Sequence, residues 1–474
     1  LLLLASLPAH ARYLRESLKP RHNFATMQMS GLGAIGLRFP EFKKAPAWTA
    51  FAMAQMTAEI DDQVYPDGVQ KELTSTYHWV ALRHFDALAQ EAERAGRKLP
   101  DAYRETLERM YDYIAGSVRP DGSCPLNSDS DRDDRFSLLA AAAPRFGRAD
   151  WAWIASGGKL GKRPQGMPSR FYPWAGQLIS RSGWNRESHW SFFDAGPYGI
   201  SHQHNDKLHL SIHACGRDLL TDSGRFAYQG ELAERFLQSY ARLSQAHNVI
   251  LVDGFGQQAT PMEAEAPHRA YRIAEDYDFA LGTYRREFSP GPATADRSSR
   301  IEGPRAAVQH SRAVLYLRGR GWIVIDHLWG QGRHTITPLW HFPPHCTVAV
   351  RDDAVASTDA GVGNLHIQPV GGLRWDVTLV KGQETPIQQG WYSKRYGSVQ
   401  PANCAVYESV MNGSATFGWI ITPGRGRPEP LAIAWIKAPA GIAHLQTAEG
   451  RNIWIVVDTC LLPIELPGGG QLDE

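Results

Sequence analysis

The chain has 474 residues, with 50 Lys and Arg against 49 Asp and Glu, for a formal net charge of +1. That balance excludes a protein devoted to nucleic-acid binding and a polybasic membrane anchor. Hydrophobic residues at 43% and charged residues at 21% describe a globular chain of several domains with side chains enough for a sizeable core.

The opening LLLLASLPAHARYL lacks an initiator Met, a basic leader region and a cleavage signal. It reads as a helix entered midway, so a fragment or processed form is expected. Helical periodicity follows. Trp48, Phe51, Ala52, Met56 and Ile60 share one face, Ala81 to Gly96 form an amphipathic helix, and Tyr103, Leu107, Met110, Tyr111 and Ile114 share another face. The Pro-Asp-Gly loops YPDGVQKE and RPDGSCPLNSDSDRDD separate these segments, as in stacked helix pairs. The acidic run from Asp129 to Asp134 is expected to be a solvated loop. GLGAIG, Gly31 to Gly36, follows no strand and is not expected to bind a dinucleotide.

From about residue 165 short apolar runs alternate with Gly, Pro and Asp-Gly breaks: HWSFFDAG, KLHLSIHACGRDLLTDSG, HNVILVDG, RAVLYLRGRGWIVIDHL, GWIIT and NIWIVVD. These predict strands, with the clearest hairpin around Arg318-Gly319-Arg320-Gly321. No long helical pattern separates them, so an antiparallel sandwich is expected rather than parallel βαβ wiring. The expected division is 1–155 helical, 165–400 sandwich, and 401–474 a β region completing or appended to it. Five scattered cysteines, Cys124, Cys215, Cys346, Cys404 and Cys460, predict neither a disulfide framework nor a thiolate zinc site. No apolar run approaches the ~20 residues that span a bilayer.

The densest chemical feature is Ser201-His202-Gln203-His204-Asn205-Asp206, followed by Asp222 in LLTDSG and His247 in QAHNVILVDG. Read as strand residues, two histidines two apart share a face, and a further imidazole and carboxylate from neighbouring strands could complete a nitrogen and oxygen zinc site. Adjacent imidazoles need not both bind the ion: an arrangement with His204 as a ligand and His202 facing a cleft is one that this spacing allows. In the helical half, Arg21-His22-Asn23-Phe24 and Glu72-Leu73-Thr74-Ser75-Thr76-Tyr77-His78 lie beside loop signals, where sites are commonly built. A tyrosine whose pKa is lowered by a neighbouring cation can shuttle a proton, and an asparagine amide can mask a carboxylate's charge.

Asn-aromatic, YPDGVQKELTSTYH and PDG…DSD in the helical part, then FYPWAGQLISRSGWN, SHQHNDKLHLSIHACGRDLLTDSGRFAY and AHNVILVDG, resemble the heparinase II/III-like polysaccharide lyases over roughly residues 12 to 345. The resemblance implies an incomplete (α/α) toroid followed by an antiparallel β-sandwich, with an anionic polysaccharide in the cleft between them. The family's toroid begins earlier than the helices seen here, so several N-terminal helices are expected to be missing. The resemblance makes Asn23 the carboxylate-neutralising group, Tyr77 the proton-transferring tyrosine and His202 the catalytic histidine. It makes His204, Asp222 and His247 the ligands of a mainly structural divalent metal, usually zinc. Some members carry Asn-His where this chain has Asn23-Phe24, with His22 on the other side. His22, Glu72, His78, Arg181 and Arg225 are the candidate substrate contacts, Glu72 in a supporting role.

The implied reaction is β-elimination on a uronic-acid polymer, leaving a 4,5-unsaturated end; glycosaminoglycan is the preferred substrate and alginate the alternative. A donor at the uronate carboxylate stabilises the charge that develops when C5 is deprotonated, while His202 or Tyr77 serves as base. Periplasmic or secreted location is implied by the resemblance alone; neither nucleic acid nor membrane insertion is expected, and no oligomer is indicated. The rivals are a metal-dependent hydrolase barrel opening with His-x-His, a glycoside hydrolase using Asp67, Glu72 or Asp129, and a non-catalytic glycan-binding protein.

Overall fold

The first third of the chain follows its helical periodicity. A computed structural model describes residues 2–199, 201–258, 267–289 and 305–458. The helices of this first part are α1 (Leu2–Glu16), α2 (Asn23–Arg38), α3 (Ala45–Gln63), α4 (Ser75–Arg94), α5 (Asp101–Ser117), α6 (Phe136–Phe146) and α7 (Ala149–Ala155). Trp48, Ala52, Met56 and Ile60 of α3 are buried with Phe51 partly covered, as are all five periodic residues of α5. They meet Met29, Leu32, Phe85, Leu88 and Trp151 in one helical core. Each such side chain contributes about 1.5–3 kcal/mol when fully buried.

Two local features differ from expectation. Helix α4 starts at Ser75 rather than Ala81, because Thr74 caps it: the Thr74 hydroxyl accepts from the Tyr77 N–H at 3.1 Å. Tyr77 and His78 therefore stand in a first helical turn and not in a loop. The GLGAIG glycines lie inside α2 and serve packing, since a Cβ at Gly33 would collide with Leu88, and one at Gly36 with Thr49.

The rest is antiparallel. Strands β1 (Arg170–Tyr172), β2 (Gln177–Arg181), β3 (Trp190–Asp194), β4 (Leu210–Ala214) and β5 (Arg217–Leu220) make a five-stranded meander. Facing it are an eight-stranded and a four-stranded sheet. The predicted hairpin is Gln309–Leu317 with Gly321–Trp329, closing at the Leu317 and Gly321 pair, and Gly319 takes the positive φ of the turn. Leu178, Phe193, Leu210, Ile212, Val314, Trp322, Trp340 and Trp419 fill the space between the sheets.

Strand Asn403–Asn412 lies inside the four-stranded sheet and Ala415–Arg425 inside the eight-stranded one. The last three strands, Ile433–Ile436, Ile442–Thr447 and Asn452–Val456, form their own sheet and cover Ile323 and Ile325 through Ala443, Leu445 and Ile455. The structure is thus a helical part of the toroid type followed by an antiparallel, sheet-rich region. Among the described residues no helix is long and apolar enough to cross a membrane. Cys124, Cys215, Cys346 and Cys404 are free, and Cys460 lies outside the described residues.

Helices and sheets meet at an apolar seam in which Tyr65, Val69, Leu73 and Tyr113 pack on Tyr172, Ala175, Ile179, Trp190 and Phe192. A buried cluster crosses the same junction, where Asp218 pairs with both Arg119 and Arg132. This seam sets the loop after α3 and the start of α4 against the segment between β3 and β4.

Candidate active site

Three separate stretches of chain converge on Glu72. Its carboxylate is fully buried, and its Oε2 accepts from His202 Nδ1 at 2.5 Å and from the Asn23 amide at 3.4 Å. Gln70 donates to the other oxygen at 3.4 Å. Above His202 lies Tyr77, with ring centroids 3.4 Å apart and planes 9° from parallel. The Tyr77 hydroxyl donates to the Tyr228 hydroxyl at 3.1 Å, and Tyr228 also accepts from Arg225 at 3.4 Å. Asn23, Tyr77 and His202 thus share one neighbourhood.

Local chemistry explains each placement. Asn23 opens α2 behind a cap in which His22 Nδ1 accepts from the Phe24 N–H at 3.2 Å. Buried Glu59 accepts the Arg21 N–H at 3.0 Å, and Gln63 donates to the His22 carbonyl at 3.2 Å, which fixes the turn ahead of Asn23. Arg21, Leu73 and Ser201 take positive φ beside the three functional stretches, strain that the surrounding bonds maintain. Gln203 donates to the carbonyls of Glu72 and Leu73, both at 3.2 Å, and so ties the His202 segment to the Glu72 turn.

His202 and His204 stand in an irregular segment between β3 and β4, not in a strand as expected. They diverge there: His202 reaches Glu72, whereas His204 turns inward and its Nε2–H donates to Asp129 Oδ1 at 2.9 Å. A carboxylate accepts only, so the bonded nitrogen carries the proton and in the neutral ring Nδ1 is the lone pair; that atom is buried without a partner. Asp222 and His247 stand beside it; one ligating atom from each of the three lies within 4.8 Å of the others. His247 Nδ1 faces Asp222 at 3.0 Å while its Nε2–H donates to the Ala241 carbonyl at 3.1 Å. An orphaned imidazole nitrogen, a second imidazole and a carboxylate form a donor set suited to a divalent metal.

Electrostatics favour a protonated Tyr77. Burial is the main cause of its raised pKa, the bond to Tyr228 opposes it, and the lowering pull of Arg225 is smaller still. The expected cation-driven depression is therefore overridden by desolvation. Tyr228 is pushed up further, again chiefly by burial.

The expectation for the Asp129 to Asp134 run fails at its functional end. Asp129 is completely buried, and although burial pushes its carboxyl up, His204 and Arg242 outweigh this and hold it at about 2. Asp131 is paired with Arg225 through Nε at 2.9 Å. The run looked solvated because its charges are adjacent in sequence; in space Asp129 meets His204 and Arg242 and Asp131 meets Arg225, all from the sheet region, whereas Asp133 pairs with Arg135 and exposed Asp134 accepts the Phe136 N–H at the start of α6.

Two candidate substrate contacts lie elsewhere. Arg181 is 1% exposed at the seam, donating to the carbonyls of Gly116 and Val118 over the Trp184 ring, and burial lowers its pKa to about 9. His78 is 1% exposed, accepts the Gln70 N–H at 3.2 Å and donates to the Met110 carbonyl at 3.0 Å, so it holds the Glu72 loop to α5. Arg225 borders the site, but Asp131 already occupies its guanidinium. Asp67 accepts from the Trp174 and Ala175 N–H groups, and Asp129 serves His204, so the carboxylates weighed for hydrolysis have other partners. Sequence reasoning gave no role to Tyr228 and reserved only a supporting one for Glu72; GRFAY carries no local sign that its tyrosine reaches across to α4.

A family model described as the heparinase II/III N-terminus matches residues 1–145, and one described as heparinase II/III-like, C-terminal, matches residues 165–436. The chain belongs to the heparinase II/III family. Among its relatives, the heparin-sulfate lyase of Pedobacter heparinus is 27% identical over 404 residues, 83% of this chain and 57% of that protein. The heparin-sulfate lyase of Bacteroides stercoris is 23% identical over 398 residues, 82% of this chain and 55% of that one. This heparinase II/III chain therefore spans a little over half the length of these relatives. The crystal structure of the heparan sulfate lyase HepC from Pedobacter heparinus shares the fold, with a TM-score of 0.77 at 23% identity over 96% of this chain and 69% of that one.

Proposed function

We propose that this chain is a polysaccharide lyase that cleaves a uronic-acid-containing glycosaminoglycan by β-elimination. The observation that carries the reading is the convergence on Glu72, with His202 and Asn23 bonded to one carboxylate oxygen and Tyr77 stacked on His202. The names of the relatives favour a heparan-type chain as the substrate. Work on an extracellular polymer fits a periplasmic or secreted setting.

Each residue then has a task. One hydrogen of the Asn23 amide is held by Glu72, and the other is offered to the uronate carboxylate, where it stabilises the charge arriving as C5 loses its proton. Glu72 holds the Nδ1–H of His202, which leaves Nε2 as the base. As the C5–H bond breaks, its electron pair forms the C4–C5 double bond and the C4–O bond cleaves. Tyr77 starts protonated and gives its proton to the departing oxygen. The imidazolium and phenolate left behind are stacked face to face and neutralise each other until solvent resets both. Tyr228, held by Arg225, provides a hydrogen bond to that phenolate.

His204, Asp222 and His247 would hold the metal, and two imidazoles with one carboxylate favour zinc. It would supply a fixed positive charge that braces the segment carrying His202, and no step of the elimination passes through it.

Purified chain incubated with heparan sulfate tests the proposal. The expected result is growth of the ultraviolet absorbance of a 4,5-unsaturated uronate, lost in His202→Ala and Tyr77→Phe. New reducing ends without that absorbance would mean hydrolysis, and binding without new ends would mean a glycan-binding protein; either result refutes the elimination.

A further inference from the structure

The turn at residues 127–131 belongs to the helical half, yet its hydrogen bonds face both ways. Toward α4, Asn127 donates to the Leu73 carbonyl at 2.7 Å and accepts from the Ser75 hydroxyl at 2.7 Å. The Asp131 N–H donates to Thr76 Oγ1 at 2.9 Å, and the Thr76 N–H to Ser130 Oγ at 3.3 Å. Toward the sheet region, the Asp129 N–H donates to the His202 carbonyl at 3.2 Å and the His204 N–H to Ser128 Oγ at 3.4 Å. Asp129 itself accepts His204 Nε2–H on one oxygen and Arg242 on the other, at 2.9 and 3.0 Å.

From this arrangement we propose that Asp129 is a positioning residue for the metal site: it fixes the His204 tautomer that bares Nδ1, and it carries the metal's presence to the start of α4, where Tyr77 stands. The proposal rests on the reading of His204, Asp222 and His247 as metal ligands. A ligating imidazole needs one nitrogen deprotonated and its ring held in orientation, and a carboxylate on the opposite nitrogen does both. Asp129 meets each requirement from the other side of the junction. Among the described residues Asp129 is the one hydrogen-bond partner of a His204 ring nitrogen, so it alone there selects Nδ1 over Nε2 as the bare atom. Because the same turn is bonded to Ser75 and Thr76, ordering His204 on a metal orders the N-terminal turn of α4 as well. Metal binding thus helps bring together two halves of one active site.

The test uses zinc itself with the full chain and two variants, Asp129→Asn and Asp129→Glu. Zinc content and affinity are measured by competition with a chromogenic chelator, and backbone hydrogen exchange is followed with and without zinc. The expected result is a zinc affinity lowered about ten- to a hundred-fold in Asp129→Asn. Zinc should also slow exchange in peptides spanning 73–77 and 127–131 of the native chain, with that slowing lost in the variant. If Asp129→Asn does not fold, Asp129→Glu keeps the charge but displaces the carboxylate, and it should also weaken zinc. Native affinity in whichever variant folds overturns the proposal, as does exchange at 73–77 that ignores zinc in the native chain. A native chain that takes up no zinc removes the metal reading and this proposal together, whereas tight zinc unaffected by position 129 removes the proposal alone.

Discussion

The Tyr77 ring lies flat against the His202 imidazole at 3.4 Å, and the two residues are 125 positions apart (202 − 77). Removing only the phenolic oxygen separates stacking from proton transfer. Tyr77→Phe should lower kcat about 10²–10⁴-fold and leave the melting temperature nearly unchanged. A uronide with a leaving group that needs no proton should restore much of the rate in Tyr77→Phe and none in His202→Ala. Equal recovery in both variants would mean that Tyr77 is not the acid.

Glu72 bridges His202 and Asn23, so its charge matters more than its shape. Glu72→Gln keeps the side-chain length and a hydrogen-bond acceptor but no longer dictates which nitrogen of His202 carries the proton. A loss of about 10²-fold or more in kcat with KM little altered is expected, by the logic of a carboxylate that orients a catalytic histidine. A KM effect alone would reduce Glu72 to a binding residue.

The two histidines of His-Gln-His should separate by stability. With His204 as a ligand of the proposed metal, His204→Ala should lower both the melting temperature and the activity, whereas His202→Ala should abolish turnover and leave folding intact. Thermal melts with and without chelator check this, the chelator shifting native protein and leaving His204→Ala where it is. An unchanged melting point for His204→Ala would exclude the bracing role.

Arg181 supports the seam, so its loss should register in stability and not in substrate affinity. Arg181→Met strands the carbonyls of Gly116 and Val118 and should cost about 1–3 kcal/mol for each acceptor left unpaired, measured by denaturant unfolding. KM should match that of the native chain; a raised KM would return Arg181 to the substrate cleft.

Burial keeps His78 neutral, its pKa pushed from 6.5 down to about 3. The unfolded chain takes up a proton in that window and the folded chain does not, so the His78 contribution is complete above pH 6.5 and declines as pH falls toward about 3. His84 and His189, both lowered to about 4 by burial, act in the same sense. Melting temperature recorded between about pH 7 and about pH 4 should fall less steeply in His78→Gln than in the native chain. Parallel slopes would show that His78 is protonated in the folded state.

Sequence and structure agree where the determining physics is local. Apolar residues at helical spacing on α3 and α5 are buried as their period demands, because a face repeating every 3.6 residues leaves a helix only one way to hide it. The Arg318–Gly321 hairpin is equally legible, since alternation and a glycine turn lie within one short stretch. The residues Asn23, Tyr77, His202, His204, Asp222 and His247 were identifiable as motifs; their meeting was not derivable from their spacing. The start of α4 was misplaced because one threonine cap outweighs several residues of ambiguous periodicity.

What the chain's own order of residues determined, then, was the helix-then-sheet plan and the inventory of reactive groups. The tertiary structure alone decided that Glu72 joins His202 to Asn23, that Asp129 is buried behind His204, and that Arg181 and His78 serve the scaffold. The reason is desolvation: a charged side chain can be buried only against a partner, and the partners here stand 130 positions from Glu72 and 75 from Asp129. Charge written along a sequence says nothing of the ion or imidazole that folding sets beside it.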